Sequence, residues 1–169
     1  MALPTQRIRD EHAALWPRIE QFRQTASRVG DLPSDQLKSA IEETYLFLEN
    51  RVIPHARAED QVLYPVIARI MGSDLATVGM TRDHVEVGTL ANELGLLRVE
   101  LSEDEEPPRE VVEEVRRILY GLYAVIKGHI DKEEEIFLTL IDANMSEAET
   151  RPIFDKMDAV SKQNRFQVA

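Results

Sequence analysis

The sequence predicts an all-α protein: an antiparallel up-down-up-down four-helix bundle with a short additional C-terminal helix. Three observations carry that expectation. Apolar residues recur every three or four positions along four long stretches, and turn-forming clusters separate those stretches. No stretch of useful length alternates with the period of two that a half-buried strand needs. At 169 residues the chain reads as one domain over 1–169, with the bundle over about 5–143 and the last helix over about 147–162.

The first helix shows Leu15, Ile19, Phe22 and Ala26 on one stripe, and GDLPSD at 30–35 ends it. The second carries Ile41, Tyr45, Leu48 and Val52, then Val62, Val66 and Ile70, and stops at MGSD, 71–74. The third carries Met80, Val87, Ala91, Leu94 and Leu101 before SEDEEPPRE at 102–110. Val111, Val115, Ile118, Leu122 and Val125, then Ile136 and Leu140, mark the fourth, which NMSEAE at 144–149 closes. Ile153, Phe154, Met157 and Val160 predict a short tail helix packed on the outside. Ser34 or Asp35, Ser73 or Asp74, and Ser146 stand where N-caps are expected. Pro107 and Pro108 fit a first helical turn. Pro54 has no N–H, which frees the carbonyl of Asn50 and should bend the second helix.

Composition narrows the function. A formal charge of −11 argues against nucleic acid, which needs a cationic footprint. The sequence contains no run of eighteen apolar residues and no basic amphipathic face, so no membrane association is expected. The absence of cysteine excludes disulfides and thiolate ligands from this chain and suits a reducing, cytoplasmic setting. The stretch MALPTQRIRDEH has no apolar h-region and is not expected to act as a signal peptide.

The stripes are interrupted by polar residues. His55 and Glu59 fall in the series 41, 45, 48, 52, 55, 59, 62, and His129 and Glu133 fall in 111, 115, 118, 122, 125, 129, 133, 136. Residues four apart lie on one helix face, so each pair points into the core. His12 precedes Leu15 on the first stripe, and His84 lies between Met80 and Val87 on the third. The chain has four histidines, one per helix. At a rise of about 1.5 Å per residue, their distances from the loops bring all four level within one turn. His12 to His84 is 72 residues, and His55 to His129 and Glu59 to Glu133 are both 74, the mark of an internal twofold repeat.

An unpaired carboxylate in a core costs several kcal/mol. Glu59 and Glu133 have no Lys or Arg at matching positions, and a bound metal would supply the missing charge. Imidazole and carboxylate ligands suit iron, zinc, manganese or copper. Six ligands exceed one tetrahedral zinc. They suit two ions bridged by the two carboxylates, with two His at each. Two Glu and a bridging hydroxide nearly balance a divalent pair, which favours redox-active iron.

One His, then HxxxE, then one His, then HxxxE on successive helices resembles the hemerythrin-like (HHE cation-binding) family. HARAEDQVLYP (55–65) and HIDKEEEIF (129–137) resemble its HxxxE signatures, and IRDEHAAL and TRDHVEVGTL resemble its first and third ligand helices. The resemblance spans about residues 5–142. It implies that His12, His55, Glu59, His84, His129 and Glu133 bind two non-heme iron ions, bridged by carboxylate and by oxide or hydroxide. Ferritin-like bundles instead use ExxH, and no His here has Glu three residues before it. Oxygen-carrying hemerythrins resemble this chain but carry a second His where Gly88 stands. A solvent ligand or a tyrosine would fill that position; Tyr45 and Tyr64 are candidates whose first expected role is core packing. Asp60, Glu134 and Glu135 are expected in solvent, and Trp16 in the core. The resemblance implies binding of dioxygen, or reaction with peroxide or nitric oxide, including a catalase-like, oxidative-stress role. The alternative is a non-catalytic iron- or oxygen-sensing module.

Overall fold

The computed structural model describes residues 3–165. Among them are five helical rods and no strand. Helix α1 is Gln6–Arg28. Helix α2 is a composite rod of three α segments, Ser34–Phe47, Ile53–Ala58 and Tyr64–Met71, joined through π-helical turns at Leu48–Val52 and Glu59–Leu63. Helix α3 is Val78–Leu97. Helix α4 joins Arg109–Lys132 to Leu138–Asn144 through a π turn at Glu133–Phe137. Helix α5 is Glu147–Arg165.

Local chemistry sets the ends. Gly72 closes α2 at φ 65°, and the N–H of Ser73 returns to the carbonyl of Ala68 at 3.0 Å, a left-handed stop that only glycine adopts freely. The expected caps at Ser34 and Ser73 are displaced. Pro33 precedes α2 and Thr77 precedes α3, neither with a side-chain cap. Ser73 instead accepts the N–H of Leu75 at 3.2 Å. Before α5, Ser146 gives both its N–H and its hydroxyl to Glu149 Oε2, at 2.8 and 2.7 Å.

The first four helices pack as an antiparallel bundle, with α1 and α3 both against α4 and α2 against α3. No helix of the described residues is long and apolar enough to cross a membrane. The last helix is longer than the sequence suggested, and it is no outside appendage. It lies along the middle of α2 and buries Phe154 and Met157 in the core. Arg7 of α1 pairs with Asp155 and Asp158 of α5, and Thr150 donates to the carbonyl of Pro4 at 2.9 Å.

The core is two clusters rather than one. The larger runs from Leu15, Ile19 and Phe22 through Leu48, Leu94 and Ile118 to Ile126. The smaller gathers Ile8, Leu63, Ile67, Phe137 and Ile141 around Phe154 and Met157. Between them lies the level of the four histidines.

The π turns move the stripes. Each takes one extra residue into a turn, so everything beyond it advances by one position around the rod. Val66 and Ile70 were expected inside, yet Ile67 is the fully buried residue of that segment. In α4, Ile136 is 54 % exposed whereas Phe137 is 7 % exposed and Leu138 fully buried. Proline explains two of the three turns. Pro54 and Pro65 cannot donate, and in each case the turn before them closes with the longer bond, from Ile53 N–H to Leu48 and from Tyr64 N–H to Glu59.

The register shift has a direct consequence for stability. Phe137→Ala should cost about 3–5 kcal/mol as a core truncation, and Ile136→Ala should stay within about 0.5 kcal/mol. Urea denaturation of the two variants decides; the reverse order would mean that α4 keeps an unbroken α register.

Candidate metal centre

The structure brings all six predicted residues into the layer between the two core clusters. Glu59 sits at its centre with its two oxygens facing opposite pairs. Oε1 lies 2.8 Å from His55 Nε2 and 3.6 Å from His12 Nε2, while Oε2 lies 3.3 Å from His84 Nε2 and 3.9 Å from His129 Nε2. His12, His55 and Glu59 form one group with potential ligand atoms within 4.8 Å of one another, and Glu59, His84 and His129 form a second. Glu133 joins neither group on that criterion. Its Oε2 stands between them, 3.3 Å from His12 Nε2 and 3.8 Å from His129 Nε2.

Every imidazole turns Nε2 inward and Nδ1 outward, and each Nδ1 meets a carboxylate. His12 pairs with Glu134 at 2.8 Å, His84 with Asp60 at 3.0 Å, His129 with Asp83 at 3.3 Å, and His55 faces Glu11 at 3.4 Å. Asp60 and Glu134 were expected in solvent; both orient a histidine instead, because the residue after each core glutamate faces the neighbouring helix. Clamps hold the outer acids in turn. Arg9 pairs with Glu134, Thr81 donates to Asp60 at 2.7 Å, and Lys132 pairs with Asp83. Arg9 and Thr81 each stand three residues before a lone histidine, 72 residues apart, so the internal repeat extends to the clamps. The sequence carried a signal for this shell: an acid directly before each lone His and directly after each core Glu.

Tyr64, a candidate whose first expected role was core packing, reaches the layer. Five α-helical steps from Glu59 would turn it about 140° away. The π turn brings it back, and its hydroxyl donates to Glu133 Oε1 at 2.8 Å, with His129 Nε2 at 3.2 Å and His84 Nε2 at 3.4 Å. Its ring stacks on His84 at 5.5 Å between centroids. Seventy-four positions on, the equivalent residue is Leu138, so the two halves differ here. Tyr45 lies away from the layer, its ring under the guanidinium of Arg98 at 4.1 Å and close against Gly95, where a Cβ would come within 2.8 Å. A Cβ at Gly88 would meet nothing within 4 Å. Trp16 is only partly buried, beside Tyr123 at 6.3 Å.

No lysine or arginine side chain pairs with Glu59 or Glu133 among the described residues, so protons on the imidazoles balance the charge of the protein alone. Burial pulls His12 down, but Glu133 and Glu59 outweigh it and push its pKa up to about 11. Against the same burial, Glu59 and Glu11 push His55 up to about 10, and Asp60 and Glu59 push His84 up to about 9. For His129 burial prevails and the pKa falls. Burial opposes the charge on Glu59, yet the surrounding imidazoles hold it well below the ordinary carboxylate range. Burial and the two core carboxylates raise Tyr64, keeping the phenol protonated.

A cation fits what remains. Nε2 of His12 and of His55, Oε1 of Glu59 and Oε2 of Glu133 are buried with no hydrogen bond, although hydrogen bonding satisfies nearly all buried polar atoms in native proteins. The Nε2 atoms of His84 and His129 lie 3.0 Å apart, a spacing that requires a shared proton or a cation between two lone pairs. Two nitrogens each about 2.1 Å from one ion at a right angle are about 3 Å apart. The four histidines and two glutamates line a cavity of about 30 Å³ within the layer, walled on the larger core cluster's side by Leu15, Ile19, Val52, Val87, Ile126 and Ile130.

Fold and site together define a cation-binding helical bundle. Residues 3–141 match the hemerythrin HHE cation binding domain, and the chain belongs to that family. No curated protein and no solved structure gives a significant match.

A histidine whose folded pKa exceeds its unfolded value contributes stability in full below the unfolded value and loses it as pH climbs to the folded one. For His12, His55 and His84 that window runs from 6.5 to about 11. The protein in chelator should therefore melt at progressively lower temperature as pH rises from 6.5 towards 10. Glu59 acts oppositely, its contribution being lost below pH 4.5. A melting temperature that stays flat from pH 6 to 10 contradicts this pairing.

Proposed function

We propose that this layer holds two iron ions and binds a small oxidant, dioxygen or peroxide, or nitric oxide, with peroxide decomposition as the activity. His12 and His55 would serve one ion and His84 and His129 the other. Glu59 would span both, and Glu133 would stand between them. The observation that carries the reading is the pairing of two facing ligand groups, sharing Glu59, around a small cavity with an apolar wall on one side. The six residues themselves line that cavity of about 30 Å³, so it is the space in which the ions would sit. Bound iron supplies Lewis acidity and redox equivalents at this position.

The chain's own groups set the terms. Each Nδ1–H held by an outer carboxylate fixes the tautomer that leaves Nε2 free as a donor of electrons, and makes the ring a better ligand. Glu133 Oε1 is occupied by the Tyr64 hydroxyl, which stays protonated at the edge of the His84 and His129 group. The aliphatic wall excludes bulk water. Raised to about 11, 10 and 9, His12, His55 and His84 hold a second proton in the metal-free protein at neutral pH, and loading must displace it.

Reconstitution under argon should load two iron ions per chain, release protons to the buffer, and give iron-to-oxygen charge-transfer absorption after exposure to air or peroxide. A colourless protein holding zinc, or none of these bands after iron loading, rejects the reading. Glu59→Ala should lose the two-ion stoichiometry, and retention of both ions would mean that Glu59 does not span them.

The outer acids give an independent check. Asp60→Asn and Glu134→Gln should each weaken metal affinity about 10- to 100-fold, read by competition with a chromophoric chelator. Glu135→Gln, on the exposed neighbour, should change nothing.

A further inference from the structure

Two grooves reach the histidine layer from outside. One lies between α1 and α4, encloses about 320 Å³, and touches His12, Ala13, Trp16, Ile130 and Glu134. The other lies where α5 crosses α1 and α2 and encloses about 200 Å³. Its wall includes Glu11, Arg51, His55, Met157, Ser161 and Lys162, with Leu15 at its base. Leu15 and His55 line both this vestibule and the inner cavity, as His12 and Ile130 line both the α1–α4 groove and the cavity.

The two grooves are sealed differently. At the α1–α4 groove, His12 is 3 % exposed, and its outer nitrogen is covered by Glu134, itself clamped by Arg9. In the vestibule His55 is 15 % exposed, and Glu11 beside it is 42 % exposed with no clamp among the described residues. The vestibule's charge is also uneven. Its lining sets Glu11 and Asp158 beside Arg51 and Lys162; Asp158 is paired with Arg7, whereas Arg51 and Lys162 make no ion pair among the described residues. With Asp158 neutralised by Arg7, Arg51 and Lys162 outnumber Glu11 at the mouth, and that local excess draws small anions on a chain of net charge −11. The helix that completes it, α5, lies beyond the residues matched to the family, 3–141.

We propose that α5 builds an access vestibule that delivers small anions to the His12 and His55 side of the centre, with Leu15 and His55 as its inner partition. The iron-dependent part rests on the function proposed above; the access route itself does not.

The route is tested first on the full chain in chelator by hydroxyl-radical labelling with site-resolved mass spectrometry. His55 should be the most oxidised of the four histidines, and Ser161→Trp should lower its labelling about tenfold by filling the vestibule, within the one to three decades over which obstruction changes access rates. Equal labelling of the histidines, or no protection by Ser161→Trp, overturns the route whether or not the protein holds iron. The iron-loaded chain is then mixed with azide or nitric oxide in stopped flow. Ser161→Trp should slow both probes about tenfold, with iron stoichiometry unchanged, while Ala13→Trp in the α1–α4 groove and Ala159→Trp on the exposed side of α5 leave them alone. Slowing by Ala13→Trp in place of Ser161→Trp places the route at α1–α4 and overturns the proposal. Arg51→Glu with Lys162→Glu should slow azide about tenfold at low salt and spare neutral nitric oxide; equal slowing of both, or of neither, overturns the assignment to anions. Protected His55 labelling in a chain that takes up no iron would reject the proposed function and leave the route standing.

Discussion

Two carboxylates in the middle of a bundle core impose the organisation of this protein. Glu59 and Glu133 are essentially inaccessible, and no lysine or arginine side chain pairs with them among the described residues. Burial of that kind is tolerable only where positive charge is supplied at the same level. The four imidazoles crowd around them for that reason, and the hydrophobic core is split into two clusters by the layer they form. The outer acids follow from the imidazoles, since each ring must be held with Nε2 inward. The clamps on Arg9, Thr81 and Lys132 follow from the acids. A chain of dependence thus runs from the centre to the surface within three side chains.

The π turns are the backbone's part in this arrangement. Two begin at the core glutamates themselves, at Glu59 and Glu133, and each returns the residue five positions on to the same face. In α2 that residue is Tyr64 and in α4 it is Leu138, so one device with twofold symmetry delivers a hydroxyl to one half and an aliphatic side chain to the other. The third π turn, at Leu48–Val52, has no counterpart in α4: Pro54 occupies the position that Gly128 takes 74 residues later, and Gly128 can donate its N–H. The internal repeat supplies the histidine layer, and these departures from it make its two His/Glu groups inequivalent.

Helix α5 ties the ends of the bundle together. Phe154 and Met157 complete the smaller core cluster, and the pairs from Arg7 to Asp155 and Asp158 fasten α5 to α1. Its far side then overhangs His55. The same packing that stabilises the smaller cluster therefore shapes the surroundings of the most exposed histidine, coupling the fold's closure to access to its centre.

Much of this was legible in the chain itself. Helical period, turn clusters and the spacing of four histidines and two HxxxE pairs fixed the bundle, its antiparallel order and the six residues that converge, because a straight α-helix converts sequence spacing into direction. The dipeptides around those residues carried a signal for the outer acids, but the expectation followed the helical wheel and placed Asp60 and Glu134 in solvent: a wheel knows one helix and not its neighbour. What only the tertiary structure decided lies beyond the π turns. There one added residue rotates the rod, so that Phe137 replaces Ile136 in the core and Tyr64 turns onto Glu133. Period alone could not reveal this, because an α and a π turn differ by a single hydrogen bond whose choice rests on the packing around it. The place of α5 was undetermined for a related reason: an amphipathic stripe states that a partner exists, and only the assembled bundle says which face receives it.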